Sequence, residues 1–164
     1  MRKTTIGVMG PGVNATPSDL QYAYELGKLI AEEGWVLLTG GRNAGVMDAA
    51  SKGAKAANGL TVGILPGNDT GNVSEGVDIA IVTDMGNARN NINVLSSDLV
   101  IACGMGAGTA SEVALALKSD KKVILLKNTE ESKAFFSNLS KDNVFIAENP
   151  QQAIQTAKVI VNNT

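Results

Sequence analysis

Short, almost wholly apolar runs recur along the chain at 4–10 (TTIGVMG), 35–40 (WVLLTG), 60–65 (LTVGIL), 78–83 (DIAIVT), 98–103 (DLVIAC), 122–127 (KVILLK) and 143–148 (NVFIAE). Runs this short, with no polar residue at every second place, predict strands buried on both faces. Helix-forming stretches fall between them at 17–33, 45–57, 87–96, 110–118, 130–139 and 150–161. Alternation of the two predicts an α/β fold: a doubly wound, mainly parallel sheet of about seven strands with helices on both faces. The alternation breaks once, at 66–77 (PGNDTGNVSEGV), where turn formers without apolar periodicity predict a loop.

Helix ends are marked as well. Thr16 can cap a helix with Pro17 at its first position, Asn149-Pro150 repeats the device, and Gly34 and Gly59 stand where C-terminal stops belong. With 164 residues and no linker, repeat or low-complexity segment, 1–164 reads as a single domain with a core large enough to need no staple.

Composition narrows the chemistry. Net charge is −2 and no stretch gathers Lys or Arg into a stripe, so no nucleic-acid partner is expected. No apolar run approaches the ~20 residues of a membrane span, so no membrane partner is expected either. One cysteine, Cys103, cannot form an internal disulfide, and MRKTTIGVMG runs into a strand without a secretory apolar region; the expectation is a cytoplasmic protein. The absence of histidine removes Ser-His-Asp and Cys-His systems, no acidic cluster has metal-ligand spacing, and no cofactor is implied. Carboxylates, Arg, Lys and backbone dipoles are left to do any chemistry.

The glycines point to where. Gly10 and Gly12 follow the first strand, Gly40, Gly41 and Gly45 the second, and Gly104, Gly106 and Gly108 the fifth. In open α/β sheets ligands bind beyond the carboxyl ends of the strands, and bare backbone amides at a helix start suit a phosphate. GPGVNA (10–15) fits G-x-G-x-x-A, but Thr39-Gly40-Gly41 stands where a dinucleotide fold places its ribose-binding acid, which argues against NAD. The partner expected is a small phosphorylated ligand.

Read together, these clusters resemble the LONELY GUY type of phosphoribohydrolase, a Rossmann-like family once misnamed as lysine decarboxylases. Its P-G-G-x-G-T-x-x-E hallmark is similar to GMGAGTASE (104–112), with Gly106, Gly108, Thr109 and Glu112 in place, and with Gly104 for the proline and Met105 for the first glycine. The glycine-rich turn running into G-L-M-G resembles GGRNAGVMDAA (40–50), and an Arg-Lys pair opening the helix before the fifth strand resembles Ala88 to Asn91, with Arg89 in place and Asn90 for the lysine. The resemblance implies hydrolysis of nucleoside 5′-monophosphates to free base and ribose 5-phosphate, with Arg89 and Glu112 as the catalytic pair. The departures at Asn90 and Met105 look closer to a branch that includes molybdenum cofactor carrier proteins, which bind a phosphorylated pterin without turning it over. A homo-oligomer, dimer or tetramer, is implied by the same resemblance. A regulatory nucleotide sensor is a third reading.

The ligand-binding expectation covers Gly10, Gly12, Gly40, Gly41, Gly45, Met47, Asn90, Gly106, Ala107, Gly108 and Thr109, with the phosphate on Gly106 to Thr109. Thr109 and Glu112 also stand at capping-box spacing, so Glu112 either caps the helix or faces the ligand. Arg89 lies in a first helical turn, where the macrodipole disfavours a cation by about 0.3–1 kcal/mol, and an anion should compensate. Its alternatives are a salt bridge to Asp84 or a solvated side chain, since Ala88, Ile92 and Leu95 mark the expected buried face. For the Met47 side chain, core filling is the simpler expectation, leaving its backbone N–H for the ligand.

Overall fold

The computed structural model describes residues 2–163. Seven strands form one sheet: β1 (Thr5–Met9), β2 (Val36–Thr39), β3 (Leu60–Leu65), β4 (Ile79–Val82), β5 (Leu99–Cys103), β6 (Val123–Leu126) and β7 (Val144–Ala147). Their spatial order is β4-β3-β2-β1-β5-β6-β7, and every pairing is parallel. Order reverses between β1 and β5, where Ile6 pairs with Leu99 and Met9 with Ala102. The crevice of such a fold opens beyond the C-terminal ends of these two strands.

Six helices cover the sheet: α1 (Pro17–Glu32), α2 (Gly45–Ala56), α3 (Arg89–Leu95), α4 (Ala107–Lys118), α5 (Glu130–Leu139) and α6 (Pro150–Asn162). Strand residues alternate between two cores. Ile6, Val8, Leu99, Ile101 and Ile124 join α1, α2 and α6, whereas Met9, Val100, Ala102, Val123 and Leu125 join α3, α4 and α5. The central strands therefore carry apolar residues on both faces, as predicted. β4 departs from this. It is the sheet edge, and all four of its residues are exposed, with Ile79, Ile81 and Val82 each more than two fifths accessible.

Helix α1 is capped as its sequence predicts: Asp19 N donates to Thr16 Oγ1 at 3.1 Å and Thr16 N to Asp19 Oδ2 at 2.9 Å. Gly34, at φ +72°, ends it. The stop after α2 is different from expectation, because Asn58 takes the left-handed position at φ 57° and Gly59 is there for space, a Cβ falling 2.4 Å from the Ala31 Cβ. Where α1 crosses α2, Gly27 and Gly53 let the two backbones touch.

Helix α4 begins three residues before the predicted 110, with Gly106 in extended conformation as its N-cap and no side-chain cap. Thr109 is thus inside the helix and the capping box does not form. Glu112 instead accepts a hydrogen bond from Asn93 Nδ2 at 2.9 Å.

Candidate functional site

The strand ends frame a cleft of about 250 Å³ lined by Gly10, Gly12, Gly40, Met47, Arg89, Asn90, Gly108, Thr109 and Glu112, together with Val13, Arg42 and Asn87. It runs into a second hollow of about 290 Å³ between Gly10–Asn14 and Met105–Thr109, which shares Gly10, Gly12, Val13, Gly108 and Thr109 with it. All three glycine turns meet at this rim. Gly106 and Ala107 line the second hollow, and the first amides of α4 have no acceptor inside the helix.

Two glycines of the expected set do not line the cleft but shape it. Gly45, at φ +55°, sits where a Cβ would lie 2.1 Å from the Gly12 carbonyl oxygen, and Val46 N donates to Pro11 O at 3.0 Å, fastening the second turn to the first. Gly41 packs its backbone against Gly63. Met47 also differs from expectation: its side chain belongs to neither core and lies on the cleft wall, beside Gly40.

Arg89 is the larger departure. The buried residues of α3 are Arg89, Asn90, Asn93 and Val94, while Leu95 is half exposed and Ala88 is exposed. The inner face of this short helix is polar because it looks into the cleft as well as onto the sheet. The Arg89 guanidinium donates from Nη1 to Asn90 Oδ1 and from Nη2 to Gly40 O at 3.3 Å, and its Nε is buried without a partner. A side chain at residue 40 would occupy the guanidinium's place, its Cβ falling 2.8 Å from Nη2. Asp84 forms no ion pair with Arg89 among the described residues. Burial pushes the Arg89 guanidinium below its ordinary value, Glu112 opposes this, and Arg42 adds to it.

Glu112 is 7% exposed. Burial raises its carboxyl above the ordinary range, against the opposing effects of the Asn93 hydrogen bond and the Arg89 charge. Asn93 is fully buried and its Oδ1 has no partner. Asn90 completes the polar layer, donating to Ser111 Oγ at 3.0 Å. A group whose proton is held more tightly folded than unfolded takes stability away as pH rises. The loss begins above about pH 4.3, the ordinary glutamate value, and is complete above the raised one. Glu112→Gln keeps an acceptor for Asn93 and removes the buried charge. It is expected to match or exceed the native chain in thermal stability at neutral pH, with no advantage in acid; a clear loss at neutral pH would show that the carboxylate itself is needed.

Several residues of the site escaped the sequence reading, among them Val13, Arg42, Asn87 and Asn93. Asn93 stands one helical turn after Arg89, a spacing that signals a shared face. Arg42 and Asn87 carry no comparable local signal, Arg42 only its place between glycine turns. Cys103 is a buried filler, its thiol pushed up to about 12 by burial. Among the described residues no group of three or more Cys, Asp or Glu could hold a metal ion, and no helix is long and apolar enough to cross a membrane.

Comparison with known proteins agrees with this geometry. The SLOG cluster4 family pattern matches residues 3–154. The molybdenum cofactor binding protein of the phototrophic bacterium Rippkaea orientalis is 66% identical with a TM-score of 0.96, covering 98% of this chain and 99% of that one. The molybdenum cofactor carrier protein of Chlamydomonas reinhardtii is 52% identical with a TM-score of 0.94, over 98% and 99% of the two chains. A cytokinin riboside 5′-monophosphate phosphoribohydrolase of Mycobacterium tuberculosis is 35% identical over 96 residues, 57% of this chain and 51% of that relative, so the chain spans about half of its length.

Proposed function

The chain belongs to the SLOG cluster4 family, and we propose that it serves there as a carrier, binding a phosphorylated pterin of the molybdenum cofactor type over the strand ends and breaking no bond in it. The phosphate rests on the Gly106 to Thr109 turn, whose amides and helix dipole favour an anion. The pterin lies in the cleft beside Gly40, Met47 and Arg89. The reading includes a cytoplasmic location.

The observation that supports this most is the state of Glu112. Hydrolysis through an oxocarbenium-like centre needs an ionised carboxylate to stabilise the sugar carbon or to activate water. Here the carboxyl is buried and its Oε1 is already engaged by Asn93 Nδ2 at 2.9 Å. Arg89 is likewise engaged, by Asn90 and Gly40. The likeness to two molybdenum cofactor proteins along nearly the whole chain supports the same conclusion.

The phosphoribohydrolase reading keeps one support, the similarity to the mycobacterial enzyme over a region that includes part of the same fold. One pair of assays separates the two. Pure protein mixed with molybdenum cofactor is expected to carry molybdenum through gel filtration, and the same protein incubated with AMP and related monophosphates is expected to release no free base. Base release that disappears in a folded Glu112→Gln variant would overturn the carrier reading.

The exposed apolar edge at Ile79, Ile81 and Val82, followed along the chain by exposed Met85, supports the further proposal that copies of this chain associate there.

A further inference from the structure

We propose that Arg42, with Arg89, forms a second oxyanion subsite at the end of the cleft away from the Gly106 turn, so that the ligand is held by two anionic groups. The chemical identity of the ligand rests on the carrier reading; the subsite itself does not.

The backbone at Arg42 is fixed on every side. Gly41 N donates to Thr39 Oγ1 at 3.0 Å, Ser74 N donates to Gly41 O at 2.9 Å and Asn43 N donates to Asn72 O at 2.8 Å, while residue 42 bridges Val73 in antiparallel fashion. Ser74 is itself tied down, its hydroxyl donating to Asp48 Oδ1 at 2.7 Å. The Arg42 side chain, by contrast, is exposed and makes no hydrogen bond or ion pair among the described residues. It lines both the main cleft and an adjoining hollow of about 230 Å³ formed with Leu65, Pro66, Gly67, Asp69 and Asn72.

Arg42 and Arg89 are near enough to repel, which is one reason the Arg89 charge is disfavoured. Among the described residues the one carboxylate lining the main cleft is Glu112 of α4, and its Oε1 accepts a hydrogen bond from Asn93 Nδ2 of α3. Two guanidinium groups facing one space are unfavourable until an anion enters between them. Their forked donors suit the oxygens of a tetrahedral or metal-oxo group. Gly106 and Ala107 of the α4 turn line the other hollow, which neither arginine lines, while Gly108 and Thr109 line both. A ligand with one oxyanion at each end satisfies both sets of donors.

Two sources supply such a second group: the metal-oxo end of the cofactor, or a second phosphate on an extended ligand. The experiment measures, by calorimetry, the binding of molybdenum cofactor, molybdate, pyrophosphate and orthophosphate to the native chain and to Arg42→Gln, with thermal melts to confirm equal folding. The variant is expected to bind the cofactor about tenfold more weakly or worse while orthophosphate, satisfied by the α4 amides alone, binds both proteins equally. Arg42-dependent competition by molybdate assigns the subsite to the metal-oxo end, and by pyrophosphate to a second phosphate. Unchanged cofactor affinity in the variant, or an equal loss of orthophosphate binding, overturns the subsite. Should the native chain bind no cofactor, the carrier reading fails by itself, and Arg42-dependent binding of either anion still decides the subsite.

Discussion

Arg89→Ala is expected to weaken cargo binding by about a hundredfold, the largest loss at any single position of the cleft. Only 7% of the Arg89 residue is exposed, and hydrogen bonds to a charged group contribute about 1.5–3 kcal/mol each. Truncation strands the Asn90 and Gly40 acceptors and removes the one buried cation of the cleft, leaving Glu112 without its neighbouring guanidinium. Arg89→Lys is expected to recover only part of the loss, since an ammonium restores charge but not the planar fork that spans Asn90 and Gly40. Titration of each variant with molybdenum cofactor checks this, and an alanine variant binding within about threefold of the native chain would remove Arg89 from the site.

The second large effect concerns the scaffold. Gly53→Ala would place a Cβ 1.9 Å from the Tyr24 carbonyl oxygen, and Gly27→Ala one 2.0 Å from the Ala50 carbonyl oxygen. Both obstacles are backbone, so α1 and α2 must separate, and the first turn of α2 carries Met47 on the cleft wall and Gly45 against the Gly12 carbonyl. Each substitution is expected to cost about 3 kcal/mol, the upper end of what overpacking takes, and to lower the melting temperature by about 10 °C. Gly67→Ala, with nothing within 4 Å of its Cβ, is the control and should change little. Denaturant unfolding of the three variants reads the difference; equal stability of Gly53→Ala and the control would mean that the helices can part freely.

The parallel seven-stranded sheet, helix positions and the gathering of the glycine turns at one edge were legible in the sequence because each rests on a strong periodic or steric signal. The central strands are apolar on both faces, and the glycines cluster after β1, β2 and β5 because backbone must approach backbone or ligand there. What misled was the assumption that an apolar stripe always turns inward. On α3 the inward face is Arg89, Asn90 and Asn93 with Val94, since it borders a polar cleft, and Leu95 is half exposed. The T-x-x-E spacing at Thr109 and Glu112 left a cap and a cleft-facing carboxylate both open. A helix start is set by which residue adopts the extended cap conformation, and here Gly106 does so. Arg42 was hidden for another reason: its position depends on the pairing of 41–43 with 72–74, a contact between segments that no local pattern announces.

The seat of Gly45 against the Pro11 and Gly12 carbonyls has a consequence for traffic through the cleft. Two of the three walls are clamped to each other before any visitor arrives, so arrival orders little that was loose and wastes little of the contact energy. Departure then requires the visitor's own contacts to break, since the clamped walls have no hinge to swing. A recipient for the cargo would have to draw it out of a rigid cup.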